Sequence, residues 1–382
     1  MSRPSMHLPR TRRPRGFFSG SCLLIFVAFV AGLSGADWRV ALPGWKYEFP
    51  RDHRAHPEFK TEWWYFTGRL ADEKGGIYGY QLTFFRQGLR PPAASGGTTS
   101  RFIVSDLKFA HFAVSDIGQQ RFHYSQKLAR GAFGEAGFGS DERLAWIDDW
   151  SLALLPSGGF ELSAKNEKAS LKLNLENAKP WVIHGENGVS QKAEGEGRAS
   201  HYYSATRLKA EGSVTLDGRS RKVTGESWLD REWASNQLTP EQIGWNWFSV
   251  QFDDGAELML YQMRTRSGGL DVNSSGTFVD RAGQSQHLRV GDYQLTPVKY
   301  WTSKATGGRY PIAWRLEVPR LNLRATIDTP LLDQELVLQP VSYWEGLIEV
   351  AGERAGSAVR GHGYMELTGY AGALVGLSQE VK

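Results

Sequence analysis

From Trp38 onward the apolar positions recur every second residue in short runs, and seldom with the step of three to four residues that marks a helix. Eight such runs predict strands: Trp63–Leu70, Ile77–Phe85, Ser170–Leu175, Val223–Leu229, Trp245–Phe252, Glu257–Arg264, Leu321–Ile327 and Tyr364–Thr368. Gly, Pro, Asp and Asn punctuate them, and Asp253-Asp254-Gly255 reads as a hairpin turn. Pro91 to Ser100 reads as a polar, flexible loop. The pattern predicts an all-β protein of the sandwich or barrel kind.

One motif occurs twice. Trp63-Trp64-Tyr65-Phe66 opens a strand, Gly75-Gly76 turns it, and Tyr80-Gln81-Leu82 returns. Trp245-Asn246-Trp247-Phe248 opens another, Asp254-Gly255 turns it, and Tyr261-Gln262-Met263 returns. Two consecutive, related units account for this. Their expected boundary lies near residue 235, in the stretch Ser235–Gln242 that contains Pro240, giving units 37–235 and 236–382.

The first 36 residues follow different rules. Arg3, Arg10, Arg12, Arg13 and Arg15 precede an apolar run from Leu23 to Leu33, and Ser34-Gly35-Ala36 supplies small residues for cleavage. This is the pattern of a signal peptide over 1–36, and the run is short for a membrane span. It predicts a periplasmic or secreted protein, with an uncleaved anchor as the alternative. The single cysteine, Cys22, precedes the apolar run, so lipid attachment there is not expected. The rest of the chain has no thiol, which suits an oxidising compartment and excludes thiolate metal sites and a cysteine nucleophile.

Charge narrows the field further. The chain has 382 residues and a formal charge of +4. The five arginines of the leader face no acid there, so the remaining 40 bases meet 41 acids. That balance excludes a basic nucleic-acid binder. Gly-x-Ser-x-Gly, P-loop, Gly-x-Gly-x-x-Gly and His-Glu-x-x-His motifs are all missing from the sequence, and no cofactor is expected.

The densest chemistry is Trp228-Leu229-Asp230-Arg231-Glu232-Trp233. On a strand, Trp228, Asp230 and Glu232 share one face, and Leu229, Arg231 and Trp233 the other. A carboxyl beside large aromatics can hold its proton near neutral pH and serve as an acid; a surface ion-pair strip is the plainer reading. His201-Tyr202-Tyr203-Ser204 adds an imidazole and phenols, which move protons or simply hydrogen-bond at a strand edge. His53, His56 and Glu62 are a poor ligand signature for a metal, and no metal site is expected. Fourteen tryptophans supply the core and suit an aromatic-lined cavity for an apolar ligand.

Phe49-Pro50-Arg51-Asp52-His53, Glu62-Trp63-Trp64-Tyr65, His201-Tyr202-Tyr203-Ser204, the 228–233 segment and Gly244-Trp245-Asn246-Trp247-Phe248 occur in that order. Together they resemble the AttH-like, carotenoid 1,2-hydratase-related family of predicted secreted hydrolases, from about Tyr47 to Tyr370. The resemblance implies two consecutive lipocalin-like β-barrel domains around a hydrophobic ligand. The candidate catalytic residues are Asp230, Glu232, His201, Tyr203 and Arg231, and the candidate ligand lining is Trp64, Tyr65, Trp228, Trp233, Trp245, Trp247 and Tyr261. The hydratase branch carries a histidine where this chain has Arg231. An arginine stays protonated and shuttles protons poorly, which, with the export signal, counts against carotenoid hydration itself.

Three readings follow. The leading one is an exported carrier of a lipid or isoprenoid, working with an ABC-transporter system in envelope lipid traffic. The alternative is a hydratase-type or hydrolase-like enzyme protonating an unsaturated apolar substrate. The third is a structural or partner-binding envelope protein.

Overall fold

The structure, a computed structural model, describes residues 37–92 and 104–372. The signal segment, the loop read at Pro91–Ser100 beyond its first two residues, and the last ten residues lie outside them. The described residues form one compact unit. Apart from three short 3-10 turns, the described elements are all strands, and every pairing is antiparallel.

Two barrel-like sheets hold these strands. The path of the first runs Arg121–Ala129, Asp106–Asp116, Ile77–Gly88, Thr61–Asp72, Arg219–Ala234, Ala199–Leu216, Ala169–Asn177, Phe160–Lys165 and on to Ala136–Phe138. The second runs Ser285–Arg289, Ser275–Val279, Glu257–Thr265, Gln242–Phe252, Ser357–Leu367, Tyr343–Arg354, Leu323–Asp328, Arg309–Val318 and Gln294–Thr302. The orders correspond. In each sheet the strand that opens on the repeated aromatic motif pairs with its hairpin partner on one side and with the last strand of its own sheet on the other. Residues 235–241 connect the two sheets.

Alternation explains the outer strands. Ala169, Leu171, Leu173 and Leu175 point into the first core, and Lys172, Asn174 and Glu176 face water. Leu323, Ala325 and Ile327 do the same for the second core. The central strands differ, because both of their faces are covered. One face fills its own barrel and the other packs against the opposite sheet. Such strands read as long runs of large residues, with polar groups buried among them.

One irregularity positions chemistry. The Ala199–Leu216 strand slips register against Arg219–Ala234 between Ala205 and Leu208. The bulge frees backbone carbonyls, and Gln251 of the second sheet donates to the Thr206 carbonyl (2.9 Å) and the Ser227 carbonyl (3.0 Å). Ser204 stands immediately before it.

Candidate active site

Strand alternation sends Trp228, Asp230 and Glu232 toward the second sheet and Leu229, Arg231 and Trp233 into the first barrel. Register then builds rows across the sheet: Tyr65 and Ser204 flank Asp230, and Trp63 and Tyr202 flank Glu232.

Asp230 accepts hydrogen bonds from the Tyr202 hydroxyl, the Ser204 hydroxyl and Trp228 Nε1 (2.5 Å). Burial nevertheless pushes its pKa up to about 7, against those three donors and with help from the Glu232 charge. The carboxyl therefore divides between acid and anion at neutral pH. Tyr202 Oη accepts from Trp247 Nε1 of the second sheet (3.2 Å). Glu232 pairs with Lys192 Nζ at 3.1 Å, and that ammonium lies 4.1 Å from the Tyr261 ring centroid. Burial opposes the Lys192 charge, but Glu232 and its neighbours outweigh burial and hold it protonated.

The second sheet presents a counterpart. As Tyr65 pairs with Asp230, so Trp247, in the repeated motif, pairs with Glu366. As Ser204 flanks Asp230, so Glu345 flanks Glu366. Glu366 accepts from Trp245 Nε1 at 2.8 Å. Burial, with the Asp230 and Glu232 charges, pushes it up to about 7 as well. Glu345 is buried with both oxygens unpartnered, and burial plus Glu366 hold it well above the ordinary carboxylate range. The buried Tyr65 hydroxyl faces Glu345 without closing a well-formed hydrogen bond. Like charges directly opposite on neighbouring strands destabilise a sheet, so two carboxyls in this position mark a site.

Aromatics close the space between these acids. Tyr65 meets Trp247 edge-on at 5.2 Å, and Trp228 meets Trp247 at 6.3 Å. Met259, Tyr261, Met263, Leu347 and Tyr364 complete the cluster. Asp230, Glu232 and Trp247 keep 4%, 5% and 7% of their surface, whereas Arg231, Tyr203 and Trp233 keep none. Half-buried Trp63, Trp245 and Glu366 form the rim. Surface clefts of about 700 Å³ (Trp45, Arg54, His56, Lys108, Phe138) and about 390 Å³ (Asp72, Glu211, Lys222) lie apart from Asp230.

The expected site residues thus fall on two faces. Asp230, Glu232, Tyr65, Trp228, Trp245, Trp247 and Tyr261 come together between the sheets. His201, Tyr203, Arg231, Trp64 and Trp233 do not join them, because their strand positions point into the first barrel. There Arg231 bonds Glu62 and lies 3.8 Å from the Trp64 ring centroid. Trp233 stacks on His56 at 3.9 Å. Tyr203 Oη meets His53 Nδ1 at 2.7 Å, and His201 Nδ1 donates to the Gly188 carbonyl at 3.2 Å. The identity of residue 231 therefore bears on a structural ion pair and not on the proton of Asp230. His53 and His56 also turn to different partners, His56 Nε2 meeting Asp52 at 3.2 Å.

Sequence reasoning did not single out Tyr202, Ser204, Lys192, His184, Glu345 or Glu366. The first two stand inside the His201-Tyr202-Tyr203-Ser204 motif, one residue out of phase with His201 and Tyr203. Glu366 is reached through the repeat, as the strand partner of Trp247 in the second aromatic motif.

Two antiparallel barrel-like sheets with facing acids in an aromatic layer define a two-barrel, lipocalin-like protein with a carboxylate site between the barrels. The chain belongs to the AttH-like family, whose model matches residues 40–370. A protein of Nitrosomonas europaea assigned as AttH, known from its crystal structure, is 34% identical, with 87% of this chain and 99% of that one covered and a TM-score of 0.77. Kievitone hydratase from Nectria haematococca shares the fold at 14% identity, with 88% and 97% covered and a TM-score of 0.68. No curated protein matches the chain.

Proposed function

We propose that the protein is an acid–base enzyme of the hydratase type, acting on a carbon–carbon double bond of an apolar, unsaturated ligand held between the two barrels. The observation that carries this reading is the pair of carboxyls, Asp230 and Glu366, at equivalent positions of the two sheets, each held near half-protonation at neutral pH within one aromatic layer. A water-adding enzyme needs one acid and one base at the same pH, and two interacting carboxyls supply both.

Protonated Asp230 gives its proton to one alkene carbon, and the π pair becomes the new C–H bond. The Tyr65, Trp228 and Trp247 rings shield the cationic carbon left behind. Water bonds to that carbon, and ionised Glu366 takes the water's spare proton. One water is added; Asp230 ends ionised and Glu366 protonated. Rearrangement follows instead if the cation loses a neighbouring proton to Glu366. The 14%-identical fold relative is a hydratase by name, which agrees with this reaction class without carrying the argument.

The test is incubation in D₂O with a panel of polyenes, prenylated phenols and unsaturated fatty acids, read by mass spectrometry. Carbon-bound deuterium should form with the wild type. Asp230→Asn should lower turnover by roughly 10²–10⁴-fold while the probe still binds. Full turnover in both Asp230→Asn and Glu366→Gln overturns the reading. Stoichiometric binding with no turnover in the wild type favours the carrier instead.

A further inference from the structure

Asp230 does not end its hydrogen bonds within its own sheet. The Ser204 hydroxyl spends its proton on Asp230, so its oxygen accepts from His184 Nε2 at 2.7 Å. His184 Nδ1 in turn accepts from Thr277 Oγ1 at 2.8 Å. Ser204, His184 and Thr277 are all buried, and they come from the first sheet, the chain after Val182–Ile183, and the second sheet. Across the Ser275–Val279 and Ser285–Arg289 pair, Thr277 lies directly opposite His287. His287 is half-buried, its Nδ1 has no partner, and it stands near Glu186, Arg289, Asp292 and Arg320 at the surface.

We propose that Ser204, His184 and Thr277 form a proton relay that recharges Asp230 from the His287 side of the second barrel while the ligand layer stays closed. The chain suits this because every member can exchange donor for acceptor. With Asp230 ionised, Thr277 donates to His184 Nδ1, His184 Nε2–H donates to Ser204, and Ser204 donates to Asp230. The Ser204 proton moves to Asp230 Oδ1, the Nε2 proton moves to Ser204, and the Thr277 proton moves to Nδ1. Thr277 recovers a proton from solvent on the His287 side, where burial holds the imidazole itself below its ordinary value. Each O–H or N–H bond broken is matched by one formed, the imidazole changes tautomer, and one proton reaches Asp230. A histidine with a hydroxyl on each nitrogen performs this without becoming charged, which agrees with burial holding His184 neutral. The tautomer change of His184 lets this link between the barrels pass a proton as well as hold them together.

This inference rests on the reading of Asp230 as a poised acid, and its test separates the two. The probe is the proton itself. The protein is labelled with ¹³C-aspartate, and the carboxyl signal lost in Asp230→Asn identifies Asp230. Its equilibrium titration is followed by NMR and its protonation after a pH jump by infrared spectroscopy. Thr277→Val keeps the volume and removes the hydroxyl; it should slow re-protonation by roughly 10²-fold, the lower end of what a positioned proton transfer contributes, while the midpoint stays within about one pH unit. Thr277→Ser should restore the wild-type rate, and His184→Gln, which still donates to Ser204, should not. Wild-type rates in both Thr277→Val and His184→Gln overturn the relay and leave the acid intact. An Asp230 that does not titrate between pH 5 and 9 in the wild type overturns the poised acid itself.

Discussion

A carboxyl held near pH 7 inside an aromatic layer costs the fold stability, and the cost has a sign that can be measured. Asp230 has an ordinary value of 3.8 and a folded one of about 7. Below pH 4 it is protonated in the folded and unfolded chain alike. Between about pH 4 and 7 the folded chain keeps a proton that the unfolded chain has lost, so stability falls as pH rises through that window. Above pH 7 the ionised group has cost roughly 4 kcal/mol, at about 1.4 kcal/mol per pH unit. Asp230→Asn removes that cost while keeping an acceptor for Ser204 and Trp228. Its melting temperature should exceed the wild type's at pH 8, and the gap should close by pH 5. An equal gap at both pH values would mean that Asp230 is not the titrating group. Such a variant, more stable and inactive, is the usual mark of a residue kept for chemistry.

At the scale of the strand, much was legible. All eight predicted runs overlap observed strands, and the 228–233 segment presents the two faces that alternation assigned it. The missing step was register. His201 and Tyr203 resemble proton carriers as well as Tyr202 and Ser204 do, and only the pairing of Ser204 with Asp230 shows which pair shares the acid's face. A slip of one residue exchanges the two pairs, and a single sequence does not fix it. Glu345 and Glu366 were hidden for a related reason: they join the site through strands more than a hundred residues downstream of Asp230. The approach of the sheets rests on small residues. A Cβ on Gly79, in the Ile77–Gly88 strand, would lie 2.6 Å from Tyr364 Oη and 3.2 Å from Leu347 Cβ, both buried in the aromatic layer between the sheets. Gly79→Ala should therefore destabilise by about 1–3 kcal/mol, as overpacked cores do, and should lower the Asp230 midpoint by letting water between the sheets. A destabilised variant with an unchanged midpoint would place the strain elsewhere.

Across the whole molecule, buried charge and hydrogen bonds join the two barrels alongside the apolar layer between them. The Asp253-Asp254-Gly255 turn of the second sheet is gripped from the first: Lys179 Nζ reaches the Gly255 carbonyl at 2.5 Å and Glu257 at 2.7 Å, and Arg207 Nε reaches Glu257 at 2.7 Å. Glu257 is fully buried, and Lys179 and Arg207 are nearly so. A pair of this kind adds little by existing but costs about 3–5 kcal/mol when one partner is removed, because the other charges stay buried alone. Glu257→Ala takes the shared carboxylate from two buried cations at once: Arg207 keeps Glu226 at 2.5 Å, and Lys179 keeps the carbonyls of Gly255 and Asp280. The barrels should then fail together. Far-ultraviolet circular dichroism and tryptophan fluorescence should report one coincident thermal transition in the wild type, and the same single transition at lower temperature in Glu257→Ala. Two separated transitions in the wild type would show that each barrel is stable without the other. A site built half from each barrel would then rest on a docking equilibrium, and its acid and base would be aligned only while the barrels are closed.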